Sequence, residues 1–126
     1  MNLRTLFTIN VPISAFFGAT CLLTPNWLLS LYGTELTPAG TFMTQLAGAA
    51  YLGFGTLAFL ARSSDSKEFR LALATGLFIQ DLIGTIISII GQLSGLFNPL
   101  GWSTVAVYLV LALGYGYFRF LNPEAS

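Results

Sequence analysis

Four long apolar segments, separated by short polar connections, dominate the pattern of this chain. They cover residues 6–24, 41–61, 71–93 and 102–121. A helix that crosses a bilayer needs about 20 predominantly apolar residues, which each segment supplies. The connections are too short to give these helices the polar outer faces of a soluble bundle. The pattern therefore predicts one all-α integral membrane domain over residues 1–126, folded as an up-down bundle of four transmembrane helices.

The first long connection, residues 25–40, is predicted to hold an additional short helix. Pro25 is suited to begin it, because a proline at the first helical position has no amide hydrogen bond to lose. Leu28, Leu31 and Tyr32 would then share one side of about two helical turns. A helix of this kind is expected to lie in the membrane interface.

Composition agrees with a membrane location and limits the chemistry. Hydrophobic residues make up 55% of the chain and charged residues 8%, whereas a soluble domain carries about 25% charged residues. The chain has five basic and five acidic residues, and no basic patch or motif indicates nucleic-acid binding. It has no histidine and one cysteine, Cys21. The usual ligands of haem, zinc and iron–sulfur clusters are therefore lacking, any cofactor is left unknown, and a non-enzymatic protein is expected.

The basic residues predict the orientation of the bundle. An even number of spans places both termini on the same side as the connection 62–70. All the basic residues fall on that side: Arg4, Arg62, Lys67, Arg70 and Arg119. The opposite connections contain only Glu35 among charged residues, so the positive-inside rule places both termini and 62–70 in the cytoplasm. Trp27 and Trp102 are expected to anchor the opposite interface, and Tyr115 and Tyr117 the cytoplasmic one.

Small and polar residues recur at helical spacing on every span, as expected for helices that associate in lipid. Gly48, Gly55, Gly84 and Ser88 are predicted to serve helix packing. The four inward stripes are Asn10, Ser14, Gly18 and Cys21; Thr44, Gly48, Tyr51 and Gly55; Asp81, Gly84, Thr85, Ser88 and Gln92; and Thr104, Tyr108, Ala112 and Tyr115.

Asp81 is the only charged residue near the middle of any span, and the other charged residues lie between the spans or at their ends. A central aspartate costs roughly 2.5 to 3.5 kcal/mol on insertion scales, which makes it a candidate functional residue. Counting outward from the 62–70 connection places Tyr51 at the depth of Asp81, with Ser14 and Tyr108 at comparable depth. These four residues form the predicted polar centre.

Two interpretations of Asp81 are open. In the first, its carboxyl group is a structural clasp, hydrogen-bonded to Tyr51 on the neighbouring span. In the second, it binds a ligand head group, a cation or a proton in a central cavity. No basic residue lies at its depth, so the group is predicted to be neutral unless water or a cation reaches it. Gln80 is predicted to point toward another helix or subunit, and Gln45 and Gln92 to face each other across their hairpin.

Several short sequence pieces resemble those of a group of small uncharacterised four-helix membrane proteins, mostly bacterial and loosely similar to DoxX-type proteins. The pieces are Pro25-Asn26-Trp27, Leu31-Tyr32-Gly33, Gln45-Leu46-Ala47-Gly48-Ala49, Gly53-Phe54-Gly55, Ala61-Arg62, Asp81-Leu82-Ile83-Gly84 and Gly101-Trp102. The resemblance implies a four-helix fold in a bacterial inner membrane. DoxX-like relatives are associated with membrane redox systems and quinone chemistry, but no cofactor motif or catalytic residue carries over.

The expected function is that of an accessory subunit in a larger membrane complex, or of a binder of a small lipophilic molecule. Expected partners are membrane lipids and either such a complex or further copies of the chain. A proton- or cation-linked carrier or channel built from several copies is the main alternative. An enzyme acting on lipid or quinone substrates comes third, because Asp81 would be its only available base.

Overall fold

The computed structural model describes residues 1–125, which fold entirely as helices and connecting turns. The helices are α1 (Leu3–Leu23), α2 (Pro25–Leu31), α3 (Pro38–Arg62), α4 (Lys67–Leu93) and α5 (Gly101–Gly116), and α5 continues into a π-helical turn (Tyr117–Leu121). A short 3-10 turn (Pro123–Ala125) follows. The predicted all-α fold with four long spans and a short helix in the first connection is confirmed.

Side-chain caps explain where three of the long helices begin. In each case a side-chain oxygen before the helix accepts a hydrogen bond from a backbone amide in its first turn. The pairs are Asn2 with Thr5 at 2.9 Å for α1, Thr37 with Gly40 at 3.0 Å for α3, and Ser66 with Phe69 at 3.1 Å for α4. Proline additionally stands at the first position of α2 and α3, where no amide hydrogen bond is lost.

The distribution of side chains is that of a protein surrounded by lipid. Large apolar side chains are exposed along the helices, and on α4 they include Ile79, Ile83 and Ile87. Polar side chains such as Asn10 and Asp81 are buried instead. Four helices are long and apolar enough to cross a membrane, so the chain is built as an integral membrane protein.

The bundle consists of two closely packed helix pairs, α1 with α3 and α4 with α5, while α3 and α4 contact each other only sparsely. Glycines permit the first pairing. A Cβ atom at Gly48 would lie 2.8 Å from the carbonyl oxygen of Gly18, and one at Gly55 would lie 3.0 Å from Ser14 Cβ. In the second pair, Gly84 lies directly under the ring of Tyr108. Small residues thus let the backbones approach, as in other lipid-embedded bundles.

The sparse contact between α3 and α4 overturns one sequence prediction. Gln45 and Gln92 do not face each other: Gln45 Nε2 donates to the carbonyl of Leu22 at 3.3 Å, and Gln92 Nε2 donates to that of Asn98 at 2.9 Å. Each amide bonds to backbone because its own helix is paired elsewhere.

The predicted aromatic anchors divide into exposed and buried rings. Trp27 and Trp102 are 53% and 46% exposed, and Tyr117 is also exposed. Tyr115, in contrast, is completely buried and packs at the bundle centre against Phe7, with ring centroids 5.7 Å apart. Its assignment to an interfacial belt was therefore wrong, whereas its predicted place on the inward stripe of the fourth span is confirmed.

Candidate functional site

A cavity of about 210 Å³ lies between the two helix pairs. Ser14, Tyr51, Asp81 and Tyr108, the predicted polar centre, all line it. Ser88, predicted to pack between helices, also lines the cavity, and its hydroxyl donates to the carbonyl of Thr85 at 3.1 Å. The structure thus places the predicted polar residues around one space rather than in one hydrogen-bonded cluster.

Most of the cavity wall is apolar. Side chains of Ile13, Leu77 and Leu111 line it, together with aromatic rings from several helices. Those rings belong to Phe17, Tyr32, Tyr51, Phe54, Phe97 and Tyr108. A molecule in this space would therefore be surrounded by hydrocarbon and aromatic surface, with a small number of polar groups to orient it.

The Asp81 carboxyl group is buried without a partner for one of its oxygens. The residue is 3% exposed, and Oδ2 has no hydrogen-bond partner within residues 1–125. The backbone carbonyl of Asp81 does accept a hydrogen bond, from Thr85 Oγ1 at 2.7 Å. A buried acceptor that lacks a donor costs free energy, so Asp81 Oδ2 is a position where a ligand donor would be stabilised.

The predicted hydrogen bond between Asp81 and Tyr51 is not formed. The Tyr51 hydroxyl instead pairs with the Tyr108 hydroxyl on α5. Counting residues outward from the 62–70 connection correctly placed both residues at one depth. The predicted bond also assumed that the consecutive helices α3 and α4 pack together. Because they do not, Tyr51 and Asp81 lie on different walls.

Two hydrogen-bonded pairs, Asn10 with Tyr115 and Tyr51 with Tyr108, connect helices at this depth. Asn10 Nδ2 on α1 donates to the Tyr115 hydroxyl at 2.7 Å, and Ser14 Oγ donates to Asn10 Oδ1 at 3.0 Å. The Tyr51–Tyr108 pair connects α3 with α5. The clasp role considered for Asp81 is thus filled by these residues, which favours the ligand-binding interpretation of the carboxyl group.

Gln80 is the polar residue whose place sequence reasoning missed. It lines the same cavity as Asp81, and its Oε1 is buried without a hydrogen-bond partner in the described part of the chain. The prediction that it points toward another helix or subunit stays a prediction. Consecutive residues do diverge by about 100° around a helix, but a cavity bordered by several helices spans a wide enough arc to include both.

One end of the cavity is bordered by α2 together with Tyr32, a unit named the α2 cover. Leu28, Leu29 and Tyr32 line the cavity from this side. Tyr32 accepts a backbone hydrogen bond from Asn98 at 2.9 Å, and its hydroxyl accepts one from Thr104 at 3.2 Å. Asn98 Nδ2 also donates to the carbonyl of Leu31 at 3.0 Å. The cover is thereby joined to the connection between α4 and α5.

The apolar core borders the cavity at its other end, where Leu77 and Leu111 belong to both. Leu3, Phe7, Ala58, Ala74 and Phe118 are buried there and belong to one cluster with Tyr115. Among residues 1–125, no group of three His, Cys, Asp or Glu side chains could hold a metal ion. The polar groups that line the cavity are a single carboxyl group, two amides, a thiol and several hydroxyls.

No family model, curated protein or solved structure matches this chain. The resemblance to DoxX-type proteins stays a prediction, and the chemistry of the cavity is what bears on function.

Proposed function

We propose that this chain is a non-enzymatic integral membrane protein that binds a small lipophilic molecule in the cavity between its two helix pairs. The observation that carries the proposal is the buried carboxyl group of Asp81 on the wall of a largely apolar cavity of about 210 Å³, with Oδ2 unpartnered among residues 1–125. Apolar walls would take up the body of the molecule, and the carboxyl group would fix its polar end.

The volume limits the size of the ligand. A protein cavity of about 150 Å³ accommodates benzene, so the present one would hold roughly eight or nine non-hydrogen atoms by proportion. A whole phospholipid is far too large to enter. The ligand is a compact molecule with one polar group.

The proposed location is a bacterial inner membrane, with both termini and the connection 62–70 in the cytoplasm. The grouping of the basic residues at one end of the bundle supports this orientation. The α2 cover would then lie at the outer face of the membrane, and the ligand would enter from that face or from the outer leaflet.

A carrier of protons or cations has less support than a binding protein. Such a carrier needs polar groups that lead from the central acid toward both membrane faces. Here the apolar cluster that includes Leu3, Phe7 and Phe118 lies between the cavity and the termini and offers no such polar groups. A role as an accessory subunit is compatible with ligand binding, and the experiment below detects it.

Purification from the native membrane in mild detergent tests the proposal. Small molecules extracted from the pure protein are identified and quantified by mass spectrometry. Val107→Phe places a larger side chain in the cavity wall, whereas Val110→Phe makes the same change on a lipid-exposed part of α5. We expect one compact molecule per chain in wild type and Val110→Phe, and at least a tenfold loss in a Val107→Phe protein that elutes and melts as a folded protein.

If wild type carried no more of any such molecule than Val107→Phe does, the binding role would be refuted. A stoichiometric larger complex in the same preparation would instead identify an accessory subunit.

A further inference from the structure

Two side-chain oxygens on residues that line the cavity are buried without hydrogen-bond donors among residues 1–125. Asp81 Oδ2 and Gln80 Oε1 are both buried and unpartnered within residues 1–125. They belong to consecutive residues of α4 that line the same cavity. When a cation holds the Asp81 carboxyl group in its ionised form, that group only accepts hydrogen bonds, as the amide oxygen of Gln80 does. The ligand that fits this wall is then one that donates hydrogen bonds, and preferably more than one.

The charge of the cavity has a single sign. Asp81 is its one ionisable carboxyl group, and no lysine or arginine is among the residues that line it. An anionic ligand would meet the carboxyl group with no cation to compensate. A cationic ligand would pair with it in a low-dielectric space, where a charge-assisted hydrogen bond is at its strongest.

Aromatic rings surround the same space. Tyr51, Phe54 and Tyr108 line the cavity together with Asp81, and Phe17, Tyr32 and Phe97 line it further along. The faces of aromatic rings attract ammonium groups, and cages of such rings recognise amines in other proteins. Contacts with these rings would therefore add to the attraction that the carboxyl group has for a cation.

We infer that the ligand is a compact lipophilic amine, bound as its ammonium ion with N–H donors directed to Asp81 and Gln80. This inference rests on the proposed function and specifies the class of ligand. An ammonium group has up to three donors, enough for both acceptors, whereas an alcohol has one. The hydrocarbon part of the amine fills the apolar remainder of the cavity.

Binding of two matched probes tests the inference. 2-Phenylethylamine and 2-phenylethanol have the same hydrocarbon part and differ only in the amino or hydroxyl group. Affinities are measured by calorimetry on ligand-stripped protein in detergent at neutral pH. We expect the amine to bind wild type at least tenfold more tightly than the alcohol.

Variants locate the origin of that preference. Asp81→Asn is expected to weaken amine binding at least tenfold while alcohol binding changes less than threefold. Gln80→Met keeps the shape of the side chain without the acceptor and should weaken amine binding about threefold. Asp65→Asn, the same change on an exposed carboxyl group, should alter neither affinity.

The results separate this inference from the proposed function. Equal binding of both probes to wild type, or amine binding unchanged in Asp81→Asn, overturns the amine assignment. The wild-type comparison decides this even if a variant fails to fold. A co-purifying molecule without an amino group likewise overturns the assignment but sustains the binding role. Failure of both probes to bind, with no co-purifying molecule, overturns both.

Discussion

At the scale of single residues, the buried carboxyl group of Asp81 is expected to bind the ligand without stabilising the folded protein. Since Oδ2 has no partner within residues 1–125, Asp81→Asn breaks no hydrogen bond at that atom. We expect the free energy of unfolding of ligand-free protein to stay the same or to rise by about 1 kcal/mol. Titration with SDS in mixed micelles measures this free energy of unfolding. Asp65→Asn on the exposed connection serves as control and should change it by less than about 0.5 kcal/mol.

A loss of stability in Asp81→Asn well beyond that of the control would revive the structural interpretation of this residue. In that case the carboxyl group would have to support the bundle through contacts other than the Asn10–Tyr115 and Tyr51–Tyr108 bonds.

Tyr115 is predicted to be the structural counterpart of Asp81. Tyr115→Phe removes the hydroxyl that accepts the 2.7 Å hydrogen bond from Asn10 Nδ2, and leaves that buried amide without its partner. We expect a loss of about 1 to 3 kcal/mol in the free energy of unfolding. Tyr117→Phe makes the same change on an exposed ring two positions away. Equal stability of the two variants in the same SDS titration would contradict a clasp at Tyr115.

The residues of the site could be found from the sequence, but their bonds could not. Counting depth from the 62–70 connection placed Ser14, Tyr51, Asp81 and Tyr108 together, and all four line one cavity. Depth says nothing about which walls face each other, so the Tyr51–Tyr108 bond was missed. Gln80 was left out of the predicted polar centre for a related reason, since its direction was judged without knowing the width of the cavity.

At the scale of helices, pairing is decided by where small residues permit close approach. The spans themselves follow from apolar length, and the caps at Asn2, Thr37 and Ser66 set where they begin. Every span carries a small-residue stripe, however, so the stripes alone leave several pairings possible. The structure selects α1 with α3 and α4 with α5, which opens the space that the cavity occupies.

Gly48→Ala tests the α1–α3 pairing. The added Cβ would lie 2.8 Å from the backbone at both Gly18 O and Leu22 N, and backbone cannot move aside as a side chain can. We expect a loss of about 1 to 3 kcal/mol in the free energy of unfolding, as in overpacked cores. Gly53→Ala on the same helix has nothing within 4 Å of the added atom. Matching stabilities of the two variants would argue against tight packing at Gly48.

The α2 cover is predicted to control access to the cavity. Asn98→Ala removes the 3.0 Å hydrogen bond to the carbonyl of Leu31. Without this bond the closed position of the α2 cover should be less stable by about 1 kcal/mol. The fraction of molecules with the cover open, and with it access to the cavity, should then rise about fivefold. Cys21 is buried, lines the cavity and is the only cysteine, so its rate of reaction with N-ethylmaleimide reports opening.

Asn122→Ala, at the opposite end of the bundle, is the control for this measurement and should leave the reaction rate of Cys21 unchanged. If Asn98→Ala also left the reaction rate of Cys21 unchanged, the reagent would reach the cavity by another route. The same would then hold for the ligand.

At the scale of the whole molecule, orientation links the cavity to a side of the membrane. The basic residues that predict it lie near the termini or in the connection 62–70. Arg4 and Arg119 also make contacts at that end: Arg4 Nη1 donates to the carbonyl of Arg62 at 3.4 Å, and Arg119 Nε donates to Thr75 Oγ1 at 2.7 Å. Placing this end in the cytoplasm puts the α2 cover on the outside.

Cysteine labelling in intact bacterial cells tests that orientation. In a Cys21→Ala background, Glu35→Cys places a thiol beside the α2 cover and Asp65→Cys places one in the opposite connection, both at exposed positions. A membrane-impermeant maleimide should label Glu35→Cys in whole cells and Asp65→Cys only after permeabilisation, because the basic residues retain their end of the bundle in the cytoplasm. The reverse pattern would place the α2 cover inside and make the cytoplasm the source of the ligand. Labelling of both positions in whole cells would mean that the chain inserts in two orientations, and each cavity would then open to the side on which its cover lies.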